Sequence, residues 1–251
     1  YPSWDSEKAA WHPVGGDEAQ TMWTHLWNWH YGKTNGDMAG SITPRVGSVP
    51  ELIKRLRDES ESACLNAAYA LGAIGAPAVP ALIETLQDES ETVRRNASYA
   101  LSAMGVPAVP ALISASSDSK AWVRAIAVDT LGDIGLSAQD AIPVVIQALQ
   151  DESVPVRRNA AEALGIIGSL SSTAVPALIA GLRDADEWVR RNTSLALARI
   201  GPYAADAIPA LSAALNDENR YVRANAMHAL KRIDAPDAKE AAFNFLWTAR
   251  W

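Results

Sequence analysis

Three histidines near the start, His12, His25 and His30, are the first residues that invite chemistry, because a neutral imidazole is a common metal ligand. Their spacing argues against that use. His25 and His30 fall on different faces of a helix, and no carboxylate–histidine motif of a known metal class accompanies them. Asp129 and Asp133 share one helix face and could hold a cation, although two solvated carboxylates explain them as well. Cys64 is the only cysteine, which excludes an intramolecular disulfide and a cysteine-based zinc site; it reads as a small packing residue rather than a reactive thiol. There is no nucleophile–base pair, no HExxH motif and no glycine-rich phosphate loop. The expectation is therefore no catalytic residue, no metal and no cofactor.

The residue types that dominate binding surfaces are instead arranged in columns. One column reads Leu65, Arg95, Ala125, Arg158, Arg191, Ala224. A second reads Tyr69, Tyr99, Asp129, Glu162, Leu195, His228. A third position supplies Trp122, Trp188 and Tyr221. Tyr69, Arg95, Tyr99, Trp122, Arg158, Glu162, Trp188, Arg191 and Tyr221 are the candidate partner-binding residues, and the arginines among tyrosines suit an acidic protein or peptide. The competing reading is ordinary surface arginine, with Trp122 and Trp188 packed on a neighbouring repeat.

The columns exist because the chain repeats. An apolar residue followed by proline falls at Val49-Pro50, Val79-Pro80, Val109-Pro110, Ile142-Pro143, Val175-Pro176 and Ile208-Pro209, at spacings of 30, 30, 33, 33 and 33 residues. A fixed period in this range means a stacked array, in which each unit buries its apolar face against its neighbours. In the unit from Val79 to Gly105, Pro80 occupies a first-turn position, where its missing N–H costs nothing. Val79, Leu82, Ile83 and Leu86 then predict a short helix with one apolar face. Asp88 or Ser90 can cap a longer second helix, whose stripe is Val93, Ala97, Ala100, Leu101 and Met104 and which Gly105 ends. Two columns read as structural ladders. Arg94, Arg124, Arg157, Arg190 and Arg223 keep step with Asp88, Asp118, Asp151, Asp184 and Asp217. Asn66, Asn96, Asn159, Asn192 and Asn225 lie on or near the buried stripe and must find partners, expected in the backbone of the next repeat.

The pattern VPALI…L.D….VR.NA..AL..IG over roughly residues 49–234 resembles the short HEAT repeats of the phycobilisome-lyase type. The resemblance implies an all-α fold: a right-handed α-solenoid of about six helix–turn–helix repeats, with second helices lining a concave face and helical caps at both ends. Family members include bilin lyases, chaperones, scaffolds and domains appended to enzymes. HEAT arrays resembling deoxyhypusine hydroxylase bind iron through His-Glu pairs, and this chain has no such pair.

The array departs from its own pattern in two places. The first repeat has Cys64 where the arginine column should be, as a capping repeat would. In the third, Ser116 replaces a core leucine and Ile126 replaces the ladder asparagine; the period then lengthens, which predicts a change of superhelical curvature. Residues 1–48 are not repeat, hold five of the nine tryptophans, and predict a cap with a helix between Asp17 and Gly32, then a Gly-rich linker. Residues 235–251 predict a closing helix, with Asp237 and Glu240 as a capping box and Phe243, Leu246 and Trp247 facing inward.

The net charge of −7 disfavours nucleic acid, including a glycosylase-like role. No apolar run approaches membrane-spanning length and no signal peptide is visible. A single cysteine fits a reducing compartment, so a cytoplasmic location is slightly favoured. The chain starts at Tyr1, as a mature product or a fragment of something longer would. The leading functional expectation is a non-catalytic protein-interaction scaffold. The alternatives are a bilin-lyase-like or chaperone protein holding a tetrapyrrole or client subunit, and an accessory region of a larger enzyme whose catalytic residues lie elsewhere.

Overall fold

A computed structural model of the chain describes residues 3–5, 10–12, 48–58, 60–168 and 172–248. The chain divides into two units, Tyr1–Val46 and Gly47–Trp251. In the first, strands β1 (Ser3–Asp5) and β2 (Ala10–His12) pair antiparallel, with Trp4 opposite Trp11. Three residues are too few to show a period, so the sequence predicts no strand there. The helix expected between Asp17 and Gly32 lies outside the described residues.

The second unit is an all-α solenoid of six helix pairs and a closing helix. The first helices are α1 (Val49–Arg55), α3 (Val79–Thr85), α5 (Val109–Ala115), α7 (Ile142–Ala148), α9 (Val175–Gly181) and α11 (Ile208–Ala214). The second helices are α2 (Glu61–Ile74), α4 (Glu91–Met104), α6 (Ala121–Ile134), α8 (Val154–Ile167), α10 (Glu187–Ile200) and α12 (Arg220–Ile233). Each first helix carries its proline in the first turn, and two turns are all its apolar face needs to cover the longer partner. Leu82 and Leu86 from one helix and Ala97 and Leu101 from the other are fully buried, and the same positions form one core along the array. Gly75, Gly105, Gly135 and Gly201 end second helices at φ between 59° and 72°, a conformation that a side chain resists.

The turn inside each repeat is built by the two ladder residues. Oδ1 of Asp58, Asp88, Asp118, Asp151, Asp184 and Asp217 accepts the backbone N–H two residues on, holding the chain in a tight bend. Nη1 of Arg94, Arg124, Arg157, Arg190 and Arg223 donates to two carbonyls of the same turn, as from Arg94 to Asp88 and Glu89. In the first repeat the Cys64 thiol takes this place, donating to the Asp58 carbonyl at 3.1 Å.

Between repeats, the bonding changes at the third unit. After it, Nε and Nη2 of Arg124, Arg157 and Arg190 grip both oxygens of Asp151, Asp184 and Asp217 in the following repeat, at 2.7–3.1 Å. The asparagines there donate to carbonyls of the preceding second helix: Asn159 to Ala125, Asn192 to Arg158 and Asn225 to Arg191, at 3.0–3.2 Å. Before it, the turn aspartates are held by the preceding turn instead: Arg57 bonds Asp88 and Gln87 bonds Asp118. Asn96 reaches back to the Leu56 carbonyl at the end of a first helix. Both ladders thus tie adjacent repeats together, but through two different sets of partners.

The three extra residues of the longer period explain the change. The links Ala76–Ala78 and Val106–Ala108 are single 3-10 turns, whereas Gly135–Ala141 and Gly201–Ala207 are seven residues long and kinked at the buried Ala138 and Ala204. Each longer link packs against both helices of both flanking repeats and leaves consecutive first helices little direct contact. The second helices close up in response. A Cβ on Gly132 would lie 3.0 Å from the Ala163 Cβ, and one on Gly165 would lie 2.8 Å from the Ala196 Cα. In a two-layer array the more closely packed layer lies on the inside of the curve. The second helices pack on one another more extensively than the first helices do, so their free face is the inner, concave one.

Helix α13 (Pro236–Thr248) closes the array against α11 and α12. It differs from expectation in register. The helix begins at Pro236, so Asp237 lies inside the first turn and forms no capping box with Glu240. Its packed side carries Ala238, Ala242 and Phe245, while Phe243 is 64% exposed. The side chains of Leu246 and Trp247 lie outside the described residues.

The contact between the second and third repeats has neither an asparagine rung nor an Arg–Asp rung, and the Arg94 Nε is buried without a partner. Arg157→Ala, which breaks a two-pronged ion pair with both side chains mostly buried, should cost about 2–3 kcal/mol. Arg94→Ala should cost less than half as much in the same urea titrations. Equal losses would contradict this assignment of the rungs. By hydrogen exchange, helices α1–α4 should open before α6–α12, and uniform protection would count against a weak joint there. Gly165→Ala should destabilise by about 1–3 kcal/mol despite the better helix former, because its methyl has no room against Ala196.

Candidate functional site

On the second helices the positions three and seven residues after the third-column residue lie on the side away from the core, one above the other, except Ala125 of α6, which is buried. The first, second and third columns therefore merge into one surface along the array. Tyr69, Tyr99, Trp122, Trp188 and Tyr221 are each 40–48% exposed, so each ring is in part open to solvent. Their distribution is uneven. Tyr69 and Tyr99 sit towards one end with Arg95, whose guanidinium has no hydrogen bond or ion pair within the described residues. Trp188 and Tyr221 sit at the other.

Cations lie over three of these rings, Trp122, Trp188 and Tyr221. Arg191 stands between Trp188 and Tyr221, 4.9 Å from each ring centre. Arg158 also approaches the Trp188 ring, at 5.9 Å, and Arg220 lies 4.7 Å over Tyr221. The result is a run of alternating rings and guanidinium planes across three repeats, attractive through the negative faces of the rings. Arg220 also donates to the Tyr221 hydroxyl at 2.6 Å, which holds that phenol below its ordinary pKa. Trp122 is flanked by Arg94 at 5.7 Å and Lys120 at 5.2 Å.

Arg158 is more committed than its column position suggests. Its Nε and Nη2 donate to both oxygens of Asp186 at 2.8 and 2.6 Å. Asp186 in turn caps α10, accepting from the N–H groups of Trp188 and Val189 at 3.0 Å. The Arg158 bond, with these two N–H groups, lowers the Asp186 pKa to about 2. Sequence reasoning missed Asp186, Lys120 and Arg220. Only the pairing of repeats could have found Asp186, since it lies 28 residues beyond Arg158.

The centre of the face is acidic. Asp129 and Asp133 on α6 meet Glu162 on α8, brought close by the Gly132–Ala163 contact. Asp129 is exposed but flanked by neighbouring helices. Partial loss of water, then repulsion from Asp133 and Glu162, raises its pKa to about 6. Loss of water and Glu162 raise Asp133 as well. None of the three has a hydrogen bond or ion pair with a cation within the described residues. Nor, among those residues, do three or more His, Cys, Asp or Glu side chains converge on a point that could hold a metal ion. His12 lies in β2, while His25 and His30 lie outside the described residues.

These shifts set two pH windows. Asp186, lowered, contributes stability that is present above pH 4 and is lost as pH falls towards 2. Asp129, raised, has the opposite sign: its ionised form opposes folding, by nothing below pH 4 and fully above pH 6. Asp129→Asn should therefore stabilise the protein by about 0.5 kcal/mol at pH 7.5, after allowance for solvent screening, and by nothing at pH 4. Urea unfolding at the two pH values checks this, and an equal effect at both would show that the carboxylates do not repel one another.

Comparison with known proteins supports the repeat assignment. None of the curated proteins matches the chain. Among solved structures, it is similar to YibA of Escherichia coli, with 21% identity, 94% of this chain and 81% of that chain covered, and a TM-score of 0.59. It is similar to a designed armadillo repeat protein in complex with the peptide (KR)4, with 21% identity, coverage of 75% and 100%, and a TM-score of 0.52. The CpcE–CpcF complex of phycocyanin lyase from Nostoc also matches, with 25% identity, coverage of 59% and 96%, and a TM-score of 0.47. These likenesses concern the fold. The family model for HEAT repeats matches residues 49–120, 109–193 and 175–250, so the stacked helix pairs are HEAT repeats and the chain belongs to that family.

Proposed function

We propose that this chain is a protein-binding scaffold, with no catalytic role of its own, that takes a partner along the free face of its second helices. The observation that carries the reading is the row of half-exposed rings, Tyr69, Tyr99, Trp122, Trp188 and Tyr221, on one surface, of which Trp122, Trp188 and Tyr221 are held by neighbouring cations. An exposed ring held rigid by a cation on one side loses little freedom on binding, and large aromatic side chains in such positions supply most of an interface's affinity. The designed armadillo protein of similar fold, which binds a peptide, gives the reading a precedent in architecture. Arg95 and Arg191 contribute at the two ends of the row, Glu162 at its centre, and Arg158 chiefly by positioning Trp188 and Asp186.

The test is capture of partners from the native source by wild type and by Tyr99→Ala/Trp188→Ala/Tyr221→Ala, with circular dichroism confirming that both are folded. The expected result is a partner retained by wild type and weakened by at least about 30-fold in the variant, the effect of losing one or two hot-spot rings. Photo-crosslinkers placed at positions 99 and 188 should join that same partner. A partner held equally well by both proteins would move the site off this face.

A further inference from the structure

We infer that the partner on this face presents an acidic segment, carrying aspartate or glutamate side chains, to Arg191, Arg199, Arg220 and Arg232 on α10 and α12, the second helices of the last two repeats. The inference rests on the proposed scaffold reading and confines the contact to one end of the row. Of these four arginines only Arg191 belongs to the columns read from the sequence.

The reason is which charges are already used. In a chain of net charge −7, α10 and α12 together hold six arginines and one lysine against one glutamate. That glutamate, Glu187, accepts a bond from Asn219. Arg190 and Arg223 are committed to the carbonyls of their own turns. Arg191, Arg199, Lys231 and Arg232 have no carboxylate partner among the described residues, and Arg220 bonds only the Tyr221 hydroxyl. A carboxylate is the group that a guanidinium matches with two parallel N–H bonds. The same accounting limits the site. Arg158 has given two nitrogens to Asp186, and Asp129, Asp133 and Glu162 on α6 and α8 repel an acidic segment, so the contact ends at α10. Arg95 and Lys120, also without a carboxylate, lie on the far side of those acids and form no part of it.

Placement completes the argument. Trp188, Arg191, Leu195 and Arg199 share one stripe of α10, as Tyr221, Ala224, His228 and Arg232 do on α12. Arg191 lies between Trp188 and Tyr221, and such a contact leaves the N–H groups at the guanidinium edge free to donate, so the rings hold it in place with donors to spare. At the other end of the stripes two side chains lean on glycines of the preceding repeat. A Cβ on Gly165 would lie 3.4 Å from the Arg199 Cδ, and one on Gly201 would lie 3.8 Å from the Arg232 Nε. Both arginines are exposed nonetheless. From Arg191 to Arg199 is about 12 Å along the helix, which an extended segment covers in about four residues. Carboxylates at that interval meet both ends of the site, and Leu195 and Ala224 lie between them.

The experiment titrates a fluorescein-labelled dodecapeptide of alternating glutamate and serine by fluorescence polarisation, at an ionic strength of about 0.1 M. The proteins are wild type, the site variant Arg199→Gln/Arg232→Gln, and two controls that remove the same charge. Arg95→Gln/Lys120→Gln lies on the second-helix side at the other end of the array, and Arg55→Gln/Arg183→Gln is exposed and off the second helices. Circular dichroism confirms that all are folded. The expected result is that the peptide binds wild type and both controls alike, and binds the site variant about tenfold more weakly. Equal weakening in all three variants would show only attraction to total charge and would overturn the inference. Weakening confined to Arg95→Gln/Lys120→Gln, or no binding to wild type, would overturn it too. Capture from the native source separates this inference from the scaffold reading. A partner lost by Tyr99→Ala/Trp188→Ala/Tyr221→Ala but held fully by Arg199→Gln/Arg232→Gln would leave the scaffold standing and sink the acidic segment. A partner held fully by both would sink both.

Discussion

A guanidinium that bonds its own turn with one nitrogen and the next turn's carboxylate with the other two is the constraint on which most of this array depends. Arg124, Arg157 and Arg190 each do this. The Asp they grip is not free to be anywhere, because its other bond, to the chain N–H two residues on, shapes the bend between the helices. Position within a repeat and position between repeats are therefore fixed by the same atoms. Such a pair adds little net stability once desolvation is counted, but it has a high penalty for being misaligned. Apolar packing holds the repeats together; the rungs decide how far one is turned against the next.

That division of labour explains the third repeat. With a shorter link, the carboxylate of the next turn comes within reach of the preceding turn rather than of the preceding second helix, so Arg57 and Gln87 replace the helical arginine. With the longer link, Gly135–Ala141 spreads the first helices, the second helices close up, and the helical arginine can reach across. The same closing-up crowds the carboxylates of α6 and α8 together. The acidic centre of the second-helix face thus follows from a change in link length.

Much of this was legible in the sequence. The period gave the architecture, the apolar positions gave the core, and the Arg, Asp and Asn columns were correctly read as structural. Their partners were not legible, because a repeat places an aspartate 31 residues from one suitor and 27 from another, and only the link geometry chooses between them. Arg158 looked as available as Arg95 for the same reason: its partner Asp186 sits in a turn whose distance from the column depends on the packing of two repeats. At α13 the misreading was local. Asp237 and Glu240 have capping-box spacing, but Pro236 already opens the helix two residues earlier than that cap would, which leaves Asp237 inside the first turn.

The two kinds of rung also set how an array of this type can grow. A unit such as the fourth offers an aspartate to the repeat before it and an arginine to the repeat after it, and the fifth does the same. Units of this kind are interchangeable links: one could be duplicated in the gene and the copy would meet familiar surfaces on both sides. The third repeat receives one kind of bond and gives the other, through Gln87 on one side and Arg124 on the other. It is an adaptor and has no place beside a copy of itself. The second repeat, which receives a turn-to-turn bond from Arg57 and gives one through Gln87, is an interchangeable link of the other kind, so lengthening by duplication is open on either side of this joint but not at it.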